Sequence, residues 1–214
     1  MHGLINKAIQ AFLSDAFGAA AWDRISRHAG LAQDLGCEGF EAMQTYDPHL
    51  TEAILDSASA LLDRPRASLL EDLGTYLVSN PRVAALRRLL RFGGVSFTDF
   101  LHSLDDLPGR TRLAVPELLL PELLTEETAP GRFNLTILSC PPGFGHVMLG
   151  VLRALADDYG ALTVAEHRGA TPASGAGRTD RRNPGLVDES IEIEVHDPAF
   201  HDGRQFDLAG VAEA

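Results

Sequence analysis

The chain has 214 residues, 45% hydrophobic and 22% charged, with 30 acidic side chains against 18 basic ones and a net charge of −12. Such a length and balance suit one soluble globular domain that can bury a core without disulfide or metal staples. The acidic surplus excludes a phosphate-tracking nucleic-acid surface and works against docking on an anionic membrane.

Arg87, Arg88 and Arg91 form the densest basic cluster, and a solvated helix face accounts for them. Cys37 and Cys140, with no Cys-x-x-Cys, provide neither a disulfide framework nor a zinc site. The N-terminal stretch MHGLINKAIQAFL has spaced apolar residues and no basic leader, unlike a signal peptide. No run reaches the ~18 apolar residues of a membrane span. The expected location is the cytoplasm.

Leu4, Ile5, Ala8, Ile9, Phe12, Leu13 and Phe17 recur at helical spacing, and Gly18 stands at the stop position. A short second helix runs from about Trp22 to His28 and ends at Gly30. Asp47 followed by Pro48 is an N-cap followed by a first-turn proline, ahead of the stripe Leu50, Ile54, Ala58 and Leu61. Pro65 opens a helix carrying Leu69, Leu73 and Tyr76. Asn80-Pro81 opens another, with Val83, Leu86 and Leu90, broken at Gly93-Gly94. Ser96 caps a further helix with Phe97, Phe100, Leu101 and Leu104 on one face.

Beyond residue 110, Pro116, Pro121 and Pro130 punctuate a leucine-rich stretch. Phe133–Ser139 reads as a strand, a helix follows at about 146–158, and Ala161–Glu166 reads as a second strand. Residues 169–186 are rich in Gly, Pro, Ser and Arg and read as a mobile loop. Ser190–Val195 alternates as a half-buried strand does. Helices followed by strands make an α+β chain.

Several segments, in order, resemble the heme–nitric oxide/oxygen binding (H-NOX) family: MHGLINKAIQAFL, Trp22 with Ile25, Ala29-Gly30, FTDFLHSLDDL, LTILS and GHVMLGVLRALADDYG. The resemblance covers about residues 1–168 and extends toward 195. It implies one domain over 1–195, with a helical part (about 1–110), an antiparallel sheet with helices (about 111–195) and a tail at 196–214.

In that family a histidine after the FL-x-x-LD segment ligates heme iron. A proline 13 residues later presses on the porphyrin. Sixteen residues further on begins the Tyr-x-Ser-x-Arg clamp on the propionates. Imidazole supplies the axial nitrogen, and Arg, Tyr and Ser supply donors to carboxylates. On the ungapped sequence, Pro108 stands at the histidine position, Pro121 at the proline, Ile137 at the tyrosine, Ser139 at the serine and Pro141 at the arginine. The proline and serine match and the other three are replaced. Leu101 and Leu104 complete the expected pocket lining.

Other histidines are weaker candidates. His102 lies six residues before Pro108, about 240° around an ideal helix, and is expected in solvent. His146 opens the helix after the clamp segment and is the one alternative iron ligand, although a first-turn histidine is more often a surface residue. His2, His28 and His49 share no ligand spacing. His196 and His201 flank the tail with Asp197 and Asp202, a solvated end.

Glycines at 143, 145 and 150 do not make a dinucleotide or P-loop fingerprint, and no P-loop lysine follows, so a tight turn into a helix is the better reading. Ser139-Cys140 with His146 has no orienting acid by spacing and no nucleophile elbow. Asp105 and Asp106 point about 100° apart on a helix and cannot converge. No enzyme is expected. The resemblance implies a stand-alone heme-based sensor of nitric oxide or oxygen with altered heme ligation, acting on a cyclase- or kinase-type effector. The alternatives are a heme-free module for a small molecule or lipid, and an interaction scaffold, including a homodimer.

Overall fold

The computed structural model describes residues 2–31, 39–80, 94–116, 118–173 and 185–196. The helix expected from Pro81 to Gly93, residues 174–184, Cys37, His201 and the segment from 197 onward lie outside the described residues.

Helix α1 (Gly3–Phe17) begins at His2, whose Nδ1 accepts the Leu4 N–H at 3.2 Å, and ends at Gly18, where φ is +88°. It buries Ile9, Phe12 and Leu13, as its spacing requires. Helix α2 (Ala19–His28) turns back on it. In α3 (Pro48–Leu62), Asp47 accepts the His49 N–H at 2.9 Å and Pro48 occupies the first turn. Helix α4 (Arg66–Ser79) starts directly after Pro65. Ser96 and Asp99 form a reciprocal capping box on α5 (Phe97–His102), so the cap read from the sequence is present. The Ser96 hydrogen bonds hold the Asp99 carboxyl below its ordinary value.

A 3-10 turn (Leu104–Asp106) leads into α6 (Leu107–Ala114). A proline disfavours helical backbone in the residue before it, which predicts Leu107 outside the helix. Leu107 instead has helical angles, φ −58° and ψ −44°. Pro108 falls in the first turn, where its missing N–H costs no intrahelical bond.

The sheet contains β1 (Glu122–Ala129), β2 (Arg132–Cys140), β3 (Thr163–Pro172) and β4 (Val187–Val195). Its order is β1-β2-β4-β3, with every neighbouring pair antiparallel. Helix α7 (Phe144–Tyr159) connects β2 to β3. Strand β1 is absent from the sequence reading, because only Leu123 along it is buried and an edge strand shows little alternation. Pro130 followed by Gly131 at φ +73° supplies the tight turn between β1 and β2. The expected loop at 169–186 is also corrected at its start. Gly169–Pro172 remain in β3, paired with Ser190 back to Val187 past a bulge after His167.

Among the described residues two hydrophobic cores result. One gathers Ile9, Phe12, Leu13, Ile25, Ile54 and Leu73 among α1–α4. The other gathers Phe100, Leu101 and Leu104 with Phe133, Leu135 and Ile137 of β2, Leu152 and Leu155 of α7, and Ile191 and Ile193 of β4. Each fully buried Leu or Phe contributes about 1.5–3 kcal/mol. The cores meet where α4 crosses α7. A Cβ on Gly74 would collide with the Val147 carbonyl oxygen, and one on Gly150 with the Glu71 carbonyl oxygen. The two helices therefore touch backbone to backbone.

Candidate functional site

Strand β2 leaves the sheet through a short bend. Its register with β4 breaks between Ile137 and Cys140, and Ser139 there takes a left-handed φ of +50°. For a non-glycine residue that conformation costs about 1–2 kcal/mol. Two acidic side chains of β4 hold the bend. Asp188 accepts the Ser139 N–H at 2.8 Å. Glu189 accepts the Gly143 N–H at 2.6 Å and the Gly145 N–H as well. The N-terminus of α7 is an anion cradle, and the chain fills it with its own carboxylate.

Glu189 is 2% exposed and lies directly across from Ile137 in the sheet. Its Oε2 is 3.2 Å from His167 Nε2. The His167 ring stacks on His146, with centroids 4.3 Å apart and planes 27° from parallel. His146 Nδ1 is 3.1 Å from Glu71 Oε1 of α4. Glu71 Oε2 in turn accepts from Arg153 at 2.8 Å, and Arg153 also donates to the Ala165 carbonyl at 3.0 Å. One polar chain thus links α4, α7, β3 and β4. Cys140 lies at its edge. Burial, together with Glu189 and Asp188, pushes its thiol up to about 12, so it is no nucleophile near neutral pH.

The residues singled out from the sequence fall in two places. Leu101, Leu104 and Ile137 lie together in the second core, each with no exposed surface. Pro108, in the first turn of α6, and Pro121, just before β1, are half-buried. Ser139 is exposed and Pro141 half-buried at the bend, on the other side of Ile137 in the chain. His102 is half-exposed as expected, 3.3 Å from Glu127 and edge-on to Phe133. His146 is committed to Glu71 and His167 rather than to the residues around Ile137.

Glu71, His167 and Glu189 escaped the sequence reading. The alternation of β4 was the available signal: Ile193 and Ile191 point inward, so Glu189, two residues earlier, points inward with them. Among the described residues no group of three His, Cys, Asp or Glu side chains is arranged to hold a metal ion.

The haem-NO-binding (HNOB) family profile matches residues 2–167. The soluble guanylate cyclase gcy-31 of Caenorhabditis elegans is 23% identical over 158 residues, 74% of this chain and 22% of that protein. The guanylate cyclase soluble subunit beta-2 of Rattus norvegicus is 30% identical over 98 residues, 46% of this chain and 14% of that protein. The chain therefore spans about a fifth or less of the length of these relatives. An H-NOX mutant of T. Tengcongensis superposes with a TM-score of 0.70 at 14% identity, covering 94% of this chain and all (100%) of the other. An H-NOX protein from S. oneidensis, solved in the Fe(II)NO ligation state, gives 0.68 at 15% identity, covering 92% and 100%. At such identities the structures show a shared fold.

Proposed function

Because the chain belongs to the haem-NO-binding (H-NOX) family, whose domains are sensors rather than catalysts, we propose that it is a non-catalytic regulatory module that does not hold heme by the family's ligand set. The observation that carries this reading is the buried Glu189 beside Ile137. Where the resemblance calls for a hydroxyl and a guanidinium, the bend offers an alkyl side chain, a proline and two carboxylates. The N–H groups of Ser139, Gly143 and Gly145 are already bonded to Asp188 and Glu189. Two propionates brought here would meet like charge. At the axial position, Pro108 has no nitrogen lone pair to give. These residues do not fit heme.

The signal would then pass by contact with an effector of cyclase or kinase type, as the guanylate cyclase relatives suggest. A unit over 1–195 with a tail at 196–214 and a cytoplasmic location belong to the same reading. Among the described residues no helix is long and apolar enough to cross a membrane. A small-molecule or lipid ligand lodged at Leu101, Leu104 and Ile137 would have to open a packed core, which weighs against that alternative.

The test is expression with excess heme precursor, purification, and a pyridine hemochrome assay. The expected result is heme far below one equivalent. One heme per chain, retained through gel filtration, would overturn the proposal.

A further inference from the structure

The two edges of the sheet are closed in different ways. At β1 the cover is chain: the 3-10 turn, α5 and α6 pack on that strand, and Asp105 of the turn accepts the Thr125 N–H at 2.7 Å. At β3, among the described residues, no further strand lies alongside. One bond fixes which way its backbone groups point. The His196 N–H donates to the Leu162 carbonyl at 2.9 Å, so Leu162 turns its backbone groups toward β4. Along an antiparallel strand these groups alternate in direction. Val164 therefore bonds β4, while Thr163 and Ala165 present their N–H and C=O groups at the open edge. The bulge after His167 ends the regular stretch that begins at Thr163, and Ala165 is its middle. That position is occupied. Arg153 Nη2 of α7 donates to the Ala165 carbonyl at 3.0 Å, and Glu71 holds Nη1 at 2.8 Å.

We propose that Arg153 keeps the β3 edge closed to a second copy of this chain. An open edge is a template for another strand, and a charged side chain placed on it works against pairing. Two copies related by a two-fold axis would pair their β3 strands antiparallel about Ala165. Nothing in the side chains forbids this, because Val164 of one copy falls opposite Glu166 of the other and no like charges meet. Arg153 forbids it twice. It holds the Ala165 carbonyl, which must accept the Ala165 N–H of the other copy. It also brings two guanidiniums together at the axis, where they repel.

The test is light scattering on gel-filtered full chain over a concentration series, paired with amide hydrogen exchange of the wild type. Arg153→Met keeps an unbranched apolar stem and loses the charge, and its mass should climb toward about two chains while the wild type stays at one. Adding Thr163→Pro, which removes an N–H from the open edge and none from the ladder to β4, should return the variant to one chain. In the wild type the Thr163 amide should exchange at least about tenfold faster than the Val164 amide. An Arg153→Met chain that folds and stays at one chain throughout the series would overturn the proposal. So would association that survives Thr163→Pro. If Arg153→Met does not fold, the exchange measurement decides: a Thr163 amide as protected as that of Val164 means that the edge is already paired, and the proposal fails.

Discussion

The apolar contact of α5 and α6 with the sheet and the polar chain that runs from α4 across α7 to β3 and β4 are opposite in kind, although α7 also packs Leu152 and Leu155 on the sheet. The first is closed by apolar side chains, with Leu101, Leu104, Leu107 and Ile137 all buried. The second is a chain of charged and titratable groups, from Arg153 through Glu71, His146 and His167 to Glu189. The resemblance puts the family's chemistry at the first contact, yet that is where this chain has Pro108 and Ile137. Polar chemistry is concentrated at the second. The difference teaches that an apolar contact and a chain of polar groups can be built into separate places of one fold.

The largest expected effect distinguishes the two contacts by their glycines. Gly150→Ala drives a methyl into the Glu71 carbonyl and should cost about 3 kcal/mol or prevent folding, read as thermal unfolding by circular dichroism. Gly109→Ala, in α6, meets nothing within 4 Å and should be neutral or stabilise by up to about 1 kcal/mol. Equal losses for both would break the comparison.

Next is Glu189→Ala, which leaves the Gly143 and Gly145 N–H groups and His167 without their acceptor. A loss of about 3 kcal/mol in urea unfolding is expected, since buried donors left unpaired cost about 1–3 kcal/mol each. A loss under about 0.5 kcal/mol, the range of ordinary surface substitutions, would remove Glu189 from its role at the bend.

How much of this was legible in the sequence follows the same division. Local signals read correctly: the spacing of Ile9, Phe12 and Leu13, the Asp47-Pro48 start, and the Ser96 cap. Each is set by neighbours in the chain. The first contact was legible because Leu101, Leu104 and Ile137 lie on recognisable apolar faces. Strand β1 was not, since an edge strand with one buried residue has no period to find. The second contact was not either, because Glu71 and His146 are 75 residues apart and Glu189 and His167 are 22 apart, so only the helix crossing and the folded sheet bring them together.

Smaller effects sharpen the picture. In a Cys37→Ser background, Cys140 should resist iodoacetamide in the native state at pH 8 and react on unfolding, because its thiol is pushed up to about 12. Its burial disfavours the thiolate, so stability should decline as the pH rises above 9.0, the thiol's ordinary value. Rapid native labelling would contradict the burial. The smallest effect is at the α5 cap. Asp99 is held below 3.8, so its contribution is present near neutral pH and lost as the pH falls through its lowered value. Comparing the acid limb of unfolding for wild type and Ser96→Ala would detect it, and superimposable limbs would remove the cap from the account.

The most direct measurement is a hemin titration of the wild-type chain followed by absorbance, run beside Pro108→His. The predicted result is no saturable one-to-one Soret band in the wild type and none that nitric oxide shifts. The variant should remain weak, because an imidazole at 108 leaves Ile137, Pro141 and the carboxylates of the bend in place. A wild-type Soret band that saturates at one equivalent and moves with nitric oxide would contradict it.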